Sequence, residues 1–262
     1  MSTSDTVFVR RRPAVDGGLK SVVTALDMLD CFRDVEQLGV TELATRLGIA
    51  KSTAHRLLTS LVDRGFVQRD PRTGRYLLGL RLFELGQLAA GRLGLREQAL
   101  PVLQDLRQRT GCTIHLAVPA PNGNVVYIER LHGPGRVAAM ASVGYGFPAH
   151  LTSSGKVIAA FDPAFAEVRR KAGFPTRTTS SIRDVAAFDS ALEGVRRLGL
   201  AVNDQELLCG LTTVGAPVRD QQGRVHAAIS LVATTTEVRA RVDGLGRLAI
   251  AAAKQLSRDI HI

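Results

Sequence analysis

Residues 41–79 constrain the fold of this chain more than any other stretch, because they carry four local signals in a fixed order. A short amphipathic helix, with Thr41 as its expected cap, is predicted up to Gly48, a residue that permits a sharp turn. A second helix is predicted from about Lys51 to Arg64, and two short strands then flank the turn at 70–74. This order of elements predicts a winged helix-turn-helix, a DNA-reading fold.

The second of these helices has two distinct sides. Its apolar residues recur at helical spacing and predict a buried face. The opposite side is rich in hydroxyl and basic groups and carries no carboxylate before Asp63, which suits entry into the major groove of DNA. The predicted DNA-binding residues of the helix are Lys51, Ser52, Thr53, His55, Arg56 and Thr59. The alternative, a helical subdomain with a solvated charged face, requires these ordered features to coincide by accident.

Three arginines, Arg69, Arg72 and Arg75, place positive charge on the predicted hairpin wing. Such side chains suit contacts with phosphate or with the minor groove. The formal charge of +10 over 262 residues fits an anionic partner but does not identify one. The local cluster of basic residues therefore argues for DNA more strongly than the total charge does.

The cysteines and the distribution of apolar residues indicate the cellular compartment. Three widely separated cysteines, Cys31, Cys112 and Cys209, indicate a reduced cytoplasm, and Cys209 is expected to be buried, although a redox role stays open. No apolar run suggests a signal peptide or a membrane span. Residues 1–18 are expected to be a mobile tail whose arginine triplet is either solvated or in contact with phosphate.

The winged-helix domain is assigned to residues 19–79. Its first helix is predicted at 20–34, with Val22 and Leu26 on the buried face. Residues 80–94 form a predicted linker helix. That helix is apolar on more than one side, through Leu82, Phe83, Leu85 and Leu88, so a second copy of the chain is expected to cover it. The alternative is that it packs only on its own domain. Residues 95–262 alternate between meandering strands and helices, which predicts an α+β domain around an antiparallel sheet. The predicted strands are 113–118, 125–131, 136–142, 200–202, 212–218 and 225–232, and the helices are 97–110, 157–161, 184–198 and 236–258.

Three segments together resemble the IclR family of bacterial transcriptional regulators. They are LGIAKSTAHRLLTSLVDRGFV, GYGFPAHLTSSGKVIAAF and NDQELLCGLTTVGAPVRDQQGRVHAAISL, and the resemblance extends from about Leu19 to Leu256. It implies an N-terminal winged helix, a linker helix used in dimerisation and a C-terminal GAF-like effector domain with an antiparallel sheet. It also implies dimers or tetramers that bind operators and respond to small organic acids or aromatic compounds.

The effector site is expected at a helix start. Ser153, Ser154 and Gly155 open a helix whose free N–H groups and positive dipole end suit a carboxylate. Asn203 and Val232 stand where the family pattern has an acidic residue and a small hydroxyl residue, so the pocket should be less negative and more apolar there. A bulkier or aromatic acid is therefore expected. By resemblance, the pocket is completed by Met140, Val143, Asn203, Leu211, Thr213, Ser230 and Val232.

Rival chemistries find little support. Ser153 and Lys156 match a Ser-x-x-Lys acyl-enzyme motif, but the companion motifs of that enzyme class do not occur. Gly155 and Lys156 do not form a phosphate-binding loop, because the upstream glycine of that motif is absent. The histidines show no ligand-spaced pair, so no metal or other cofactor is expected. Glu206 is expected to anchor a loop by hydrogen bonding.

The expected function is regulation of a catabolic operon, by repression or by activation, through a homodimer or a dimer of dimers in the cytoplasm, without a membrane partner. Its effector is expected to be a small organic acid that reorders the loop from Gly144 to Leu151. The alternative is a metabolite-binding protein or an enzyme with an accessory basic N-terminal domain. The missing set of nucleophile, base and orienting residue favours the regulator.

Overall fold

The computed structural model describes residues 19–33, 35–133 and 143–259. Contacts divide the chain into two compact units, Met1–Arg92 and Leu93–Ile262. The expected tail, 1–18, and the expected strand at 136–142 lie outside the described residues. None of the described helices is both long enough and apolar enough to cross a bilayer.

The N-terminal unit is a helical bundle followed by a hairpin wing. Its core joins the three N-terminal helices to the hairpin through Met28, Leu43, Leu58, Val67 and Tyr76. Tyr76 also pairs with the strand-like residue Leu38, which extends the wing by one bridge. The elements are α1 Lys20–Asp30, α2 Val40–Leu47, α3 Lys51–Asp63, β1 Val67–Arg69, β2 Tyr76–Leu78 and α4 Leu80–Leu93.

Two local predictions in this unit are wrong. Helix α2 begins at Val40 and is capped at Gly39, whereas Thr41 was the expected cap. Helix α1 leaves Val22 and Leu26 exposed, although both were placed on its buried face. Its buried residue is instead Met28, which the spacing of apolar residues had not placed inside.

The described residues of the C-terminal unit form a mixed arrangement of strands and helices. The strands are β3 Thr113–Pro119, β4 Asn124–Leu131, β5 Gly146–Pro148, β6 Ala201–Asp204, β7 Leu211–Arg219 and β8 Val225–Thr234. The helices are α5 Leu95–Thr110, α6 Ser153–Phe161, α7 Pro163–Ala172, α8 Val185–Leu198, α9 Thr235–Arg239 and α10 Val242–Asp259. Among these residues the strands pair into one six-stranded antiparallel sheet of order β5-β4-β3-β8-β7-β6. The expected helix at 236–258 is divided in two, and helix α7 was not predicted.

The central strand β3 shows how the sheet separates two cores. Ile114 and Leu116 point into the core formed with α5 and α10. Because successive side chains alternate between faces, His115 and Ala117 point to the other side. Ala117 belongs to the second core, which α6 and α8 cover.

A close backbone contact fixes the start of α6. A Cβ atom added at Gly155 would lie only 2.3 Å from the backbone of Ala149, so no larger residue fits there without movement. Ala149 belongs to the short 3-10 turn Ala149–Leu151, which is buried. The same first turn of α6 is capped by Thr152, whose hydroxyl accepts the Gly155 N–H at 2.9 Å.

Candidate functional site

The predicted recognition face of α3 is open to solvent. Lys51, Ser52, Thr53, His55, Arg56 and Thr59 are all exposed. The opposite side is anchored by Ala54 and Leu58, which are fully buried. Since the hydroxyl of Thr59 donates to the carbonyl of His55 at 3.0 Å, it is left to act as an acceptor toward a partner. The core therefore orients α3 so that its basic, hydroxyl-rich side faces outward.

The three wing arginines have different surroundings. Arg72 is exposed on the turn and forms no ion pair with any described residue. Arg69 donates to the carbonyl of Gly74 at 3.3 Å and lies 5.9 Å from the centre of the Tyr76 ring. Arg75 bonds Glu42 at 2.7 Å and the Gln37 carbonyl at 3.1 Å. Arg75 thus braces the wing against α2, while its phosphate contact stays a prediction.

Glu42 is the centre of this brace, and its removal should weaken the N-terminal unit. Its carboxylate accepts from the Gly39 N–H at 2.8 Å, a bond that lowers the carboxyl pKa. We expect Glu42→Ala to lower the unfolding free energy of this unit by about 0.5–2 kcal/mol, the range for a lost helix cap. Urea unfolding with hydrogen exchange on α2 peptides measures it. Glu36→Ala, at an exposed glutamate, is the control, and equal losses would refute the cap.

The C-terminal unit holds a small cavity of about 40 Å³ on the sheet face that also carries α6. Four predicted effector residues meet there: Asn203, Leu211, Thr213 and Val232. Four lining residues were missed, namely His115, Tyr127, Leu207 and Leu208. The alternation of β3 and β4 could have placed His115 and Tyr127 on this face, but nothing in the sequence marked the leucines as cavity walls.

His115 is the most unusual group in the cavity. It is 5% exposed, and neither ring nitrogen has a hydrogen-bond partner among the described residues. Burial, with smaller contributions from the charges of Arg130 and His132, lowers its pKa to about 3. The ring therefore stays neutral at physiological pH and offers one donor and one acceptor. The Tyr127 ring lies 4.5 Å away between centroids.

The start of α6 lies beside the cavity and does not line it. Ser153 accepts a 2.7 Å hydrogen bond from Thr213, a lining residue, and so stands immediately behind the wall. Ser154 is fully buried with its hydroxyl unpartnered among the described residues. The Gly155 N–H is occupied by Thr152, contrary to the expectation that it is free.

The remaining predicted effector residues do not line the cavity or lie outside the described residues. Ser230 is buried on β8 and pairs in register with His115, but it does not line the cavity. Val143 is 53% exposed and is not part of the cavity wall. Met140 lies outside the described residues. Their role in effector binding stays a prediction.

The loop between β6 and β7 covers the cavity and is fastened at Glu206. Its carboxylate forms a buried ion pair with Lys156 of α6, at 2.5 Å. Its carbonyl accepts hydrogen bonds from Ser181 and Thr178. The expected anchoring role of Glu206 is confirmed. The expectation that Cys209 is buried is wrong, since this residue is exposed.

Matches to known proteins cover both units. The model described as IclR helix-turn-helix domain matches residues 21–71, and the one described as Bacterial transcriptional regulator IclR C-terminal matches residues 87–258. The chain belongs to the IclR family. The HTH-type transcriptional regulator XynR of Escherichia coli (strain K12) is 33% identical over 84% of this chain and 88% of its own length.

Solved IclR-family structures share the fold. The regulator from Alicyclobacillus acidocaldarius is 30% identical, with a TM-score of 0.78 over 92% of this chain and 99% of its own. An IclR homologue of Microbacterium hydrocarbonoxydans, complexed with 4-hydroxybenzoate, is 28% identical, with a TM-score of 0.76 over 91% and 97%. The family members are transcriptional regulators and not enzymes, so the enzyme alternative is set aside.

Proposed function

We propose that this IclR-family protein regulates a catabolic operon, as a repressor or an activator, by inserting α3 into the major groove of operator DNA. The observation that carries the proposal is the exposed N-terminal face of α3, which holds Ser52, Thr53 and Arg56 and no carboxylate. Such a face donates hydrogen bonds to base edges without repelling phosphate. A double-stranded DNA partner also implies a cytoplasmic protein.

A homodimer, or a dimer of dimers, supports this role. Helix α4 leaves Leu80, Phe83 and Leu88 each 62% exposed. Burial of such large apolar side chains against another surface is favourable. The same helix of a second copy of the chain offers an apolar surface of this kind. Two copies would present two recognition helices to the two half-sites of an operator.

A small organic acid, aromatic in its preferred form, is the proposed effector. The cavity combines the leucine walls with the adjacent rings of His115 and Tyr127, which suit a flat apolar body. The structural relative that holds 4-hydroxybenzoate supports an acid of this class. The carboxylate would lie toward Thr213 and the start of α6, where the helix dipole favours negative charge.

The route from effector to DNA begins at Asn203. Its side-chain amide, on the cavity wall, donates to the carbonyl of Leu151 in the buried 3-10 turn before α6. An acid that shifts Asn203 would move this turn and the adjoining β5, which occupy most of the segment expected to be a loop at 144–151. The acid would change operator binding only by its differential affinity for the two arrangements.

Replacement of Arg56 tests the DNA-binding proposal. Arg56→Ala should weaken specific operator binding by about 1–3 kcal/mol if the guanidinium reads a base edge. Fluorescence anisotropy with a selected operator duplex and a scrambled duplex separates specific from non-specific binding. Arg197→Ala removes the same charge from an exposed site on α8 and should leave both affinities unchanged. Equal operator affinity for Arg56→Ala and wild type would refute the assignment.

A further inference from the structure

The cavity has polar groups at two opposite ends. One end is Thr213 on β7, bonded to Ser153 at the start of α6. The other is His115 on β3. Strand β8 lies between them, since His115 pairs with Ser230 and Ser230 pairs with Gly215 of β7. Two strand spacings separate β3 from β7, which is roughly 10 Å.

The side chains between these ends are apolar. Leu207 and Leu208 descend from the covering loop, and Val232 rises from β8. An acid held at the β7 end therefore passes an apolar middle before it reaches the imidazole. A single ring with oxygen functions at opposite ends, plus a hydrogen bond at each end, has the length to connect Thr213 with His115. Because the cavity is only about 40 Å³, the covering loop that carries Leu207 and Leu208 must move outward to admit such a ring.

His115 presents two hydrogen-bonding nitrogens at its end of the cavity. Both ring nitrogens are buried and without partners among the described residues, an arrangement that costs free energy in a folded protein. Apolar walls would not relieve this cost. A hydroxyl group would relieve it at the nitrogen it reaches, because a hydroxyl can accept from a protonated ring nitrogen or donate to an unprotonated one.

We propose that His115 recognises a hydroxyl group at the end of the effector remote from its carboxylate, so that the preferred ligand is a para-hydroxylated aromatic acid or an acid of similar length. The proposal rests on the function proposed above, in which an acid binds in this cavity. The hydroxyl bonds the one ring nitrogen that it reaches: it accepts if that nitrogen carries the proton and donates if it does not. The burial that keeps the imidazole neutral preserves this pairing across the physiological pH range.

Tyr127 positions this end of the site. Its ring contacts His115 at 4.5 Å and Phe147 of β5 at 5.9 Å, between centroids, so the imidazole is held against a continuous aromatic wall. An aromatic ligand would extend that wall, and offset or edge-on ring contacts add to its binding. The imidazole is thus held in place before the ligand arrives.

Paired ligands that differ by one hydroxyl test the proposal. The pairs are benzoate with 4-hydroxybenzoate, phenylacetate with 4-hydroxyphenylacetate, and cinnamate with 4-hydroxycinnamate, each titrated calorimetrically into the full chain. For wild type, at least one hydroxylated acid should bind about tenfold or more tightly than its partner, because only it satisfies the buried imidazole. For His115→Phe, which keeps a ring and removes both nitrogens, the ratio should fall to about one or below.

His132→Phe is the matched control, because His132 is exposed and does not line this cavity. It should keep the wild-type preference. If the acids bind wild type without any preference for the hydroxyl, or if His115→Phe keeps the preference, the role of His115 is wrong while the acid-binding function stands. If none of the six acids binds wild type, the aromatic-acid function itself fails and the role of His115 fails with it.

Discussion

Lys156→Met is expected to lower the unfolding free energy of the C-terminal unit by about 3–5 kcal/mol, the range for breaking a buried ion pair. Lys156 and Glu206 are almost completely buried, with side-chain exposures of 4% and 12%. Burial lowers the pKa of Lys156 and raises that of Glu206, while the attraction between the two charges opposes both shifts. Without the lysine, the Glu206 carboxylate would stand unpaired in an apolar site.

The loss should spread to the covering loop. Lys156 also donates to the carbonyl of Val202 at 2.8 Å, so it joins α6 to β6 as well as to Glu206. Urea unfolding measures the free energy, and hydrogen exchange on peptides of residues 200–215 reports the loop. Lys171→Met is the control, because Lys171 is exposed and its pair with Glu167, at 3.6 Å, should contribute at most about 1 kcal/mol.

A double variant separates the cost of an unpaired charge from the value of the pair. Lys156→Met with Glu206→Leu replaces both charges by apolar side chains of similar size, and such replacements are often close to neutral. We expect it to regain most of the stability lost in Lys156→Met. If the double variant is as unstable as the single variant, the loss comes from packing and hydrogen bonds rather than from the unpaired carboxylate.

The sequence predicted the winged helix well because its signals are local. The apolar spacing of α3, the glycine at 48 and the turn at 70–74 each act within a few residues, and all agree. The error at α1 has a different cause. Its apolar residues exceed what one face can bury, and only tertiary contacts decide that Met28 is inside while Val22 and Leu26 are exposed.

The cavity could be predicted only in part, because its walls come from strands distant in sequence. The family resemblance pointed to Asn203, Leu211, Thr213 and Val232, which the sheet brings together. No sequence signal singles out His115, which is one of several histidines without ligand spacing. The role of His115 depends on its two ring nitrogens having no hydrogen-bond partner among the described residues. That property results from the packing of three strands and a loop, which the sequence does not show.

Acid should destabilise the C-terminal unit through His115. Its pKa is about 3 in the folded protein, lowered chiefly by burial, and about 6.5 once unfolded. At a pH between these two values, His115 is protonated in the unfolded chain and neutral in the folded protein. The unfolding free energy should therefore fall as pH drops below about 6.5, with a slope from this residue that approaches about 1.4 kcal/mol per pH unit. Over the interval from pH 6.5 to 5 the loss is about 1.6 kcal/mol.

His115→Phe isolates this contribution, because phenylalanine does not titrate. Urea unfolding at pH 7.5, 6.5, 5.5 and 5.0 should show a shallower decline for the variant than for wild type, with the difference growing toward pH 5. His150, whose pKa burial lowers to about 4, continues to titrate in both proteins and cancels in the comparison. Parallel profiles for His115→Phe and wild type would show that His115 takes up its proton without unfolding, and the buried neutral imidazole would have to be abandoned.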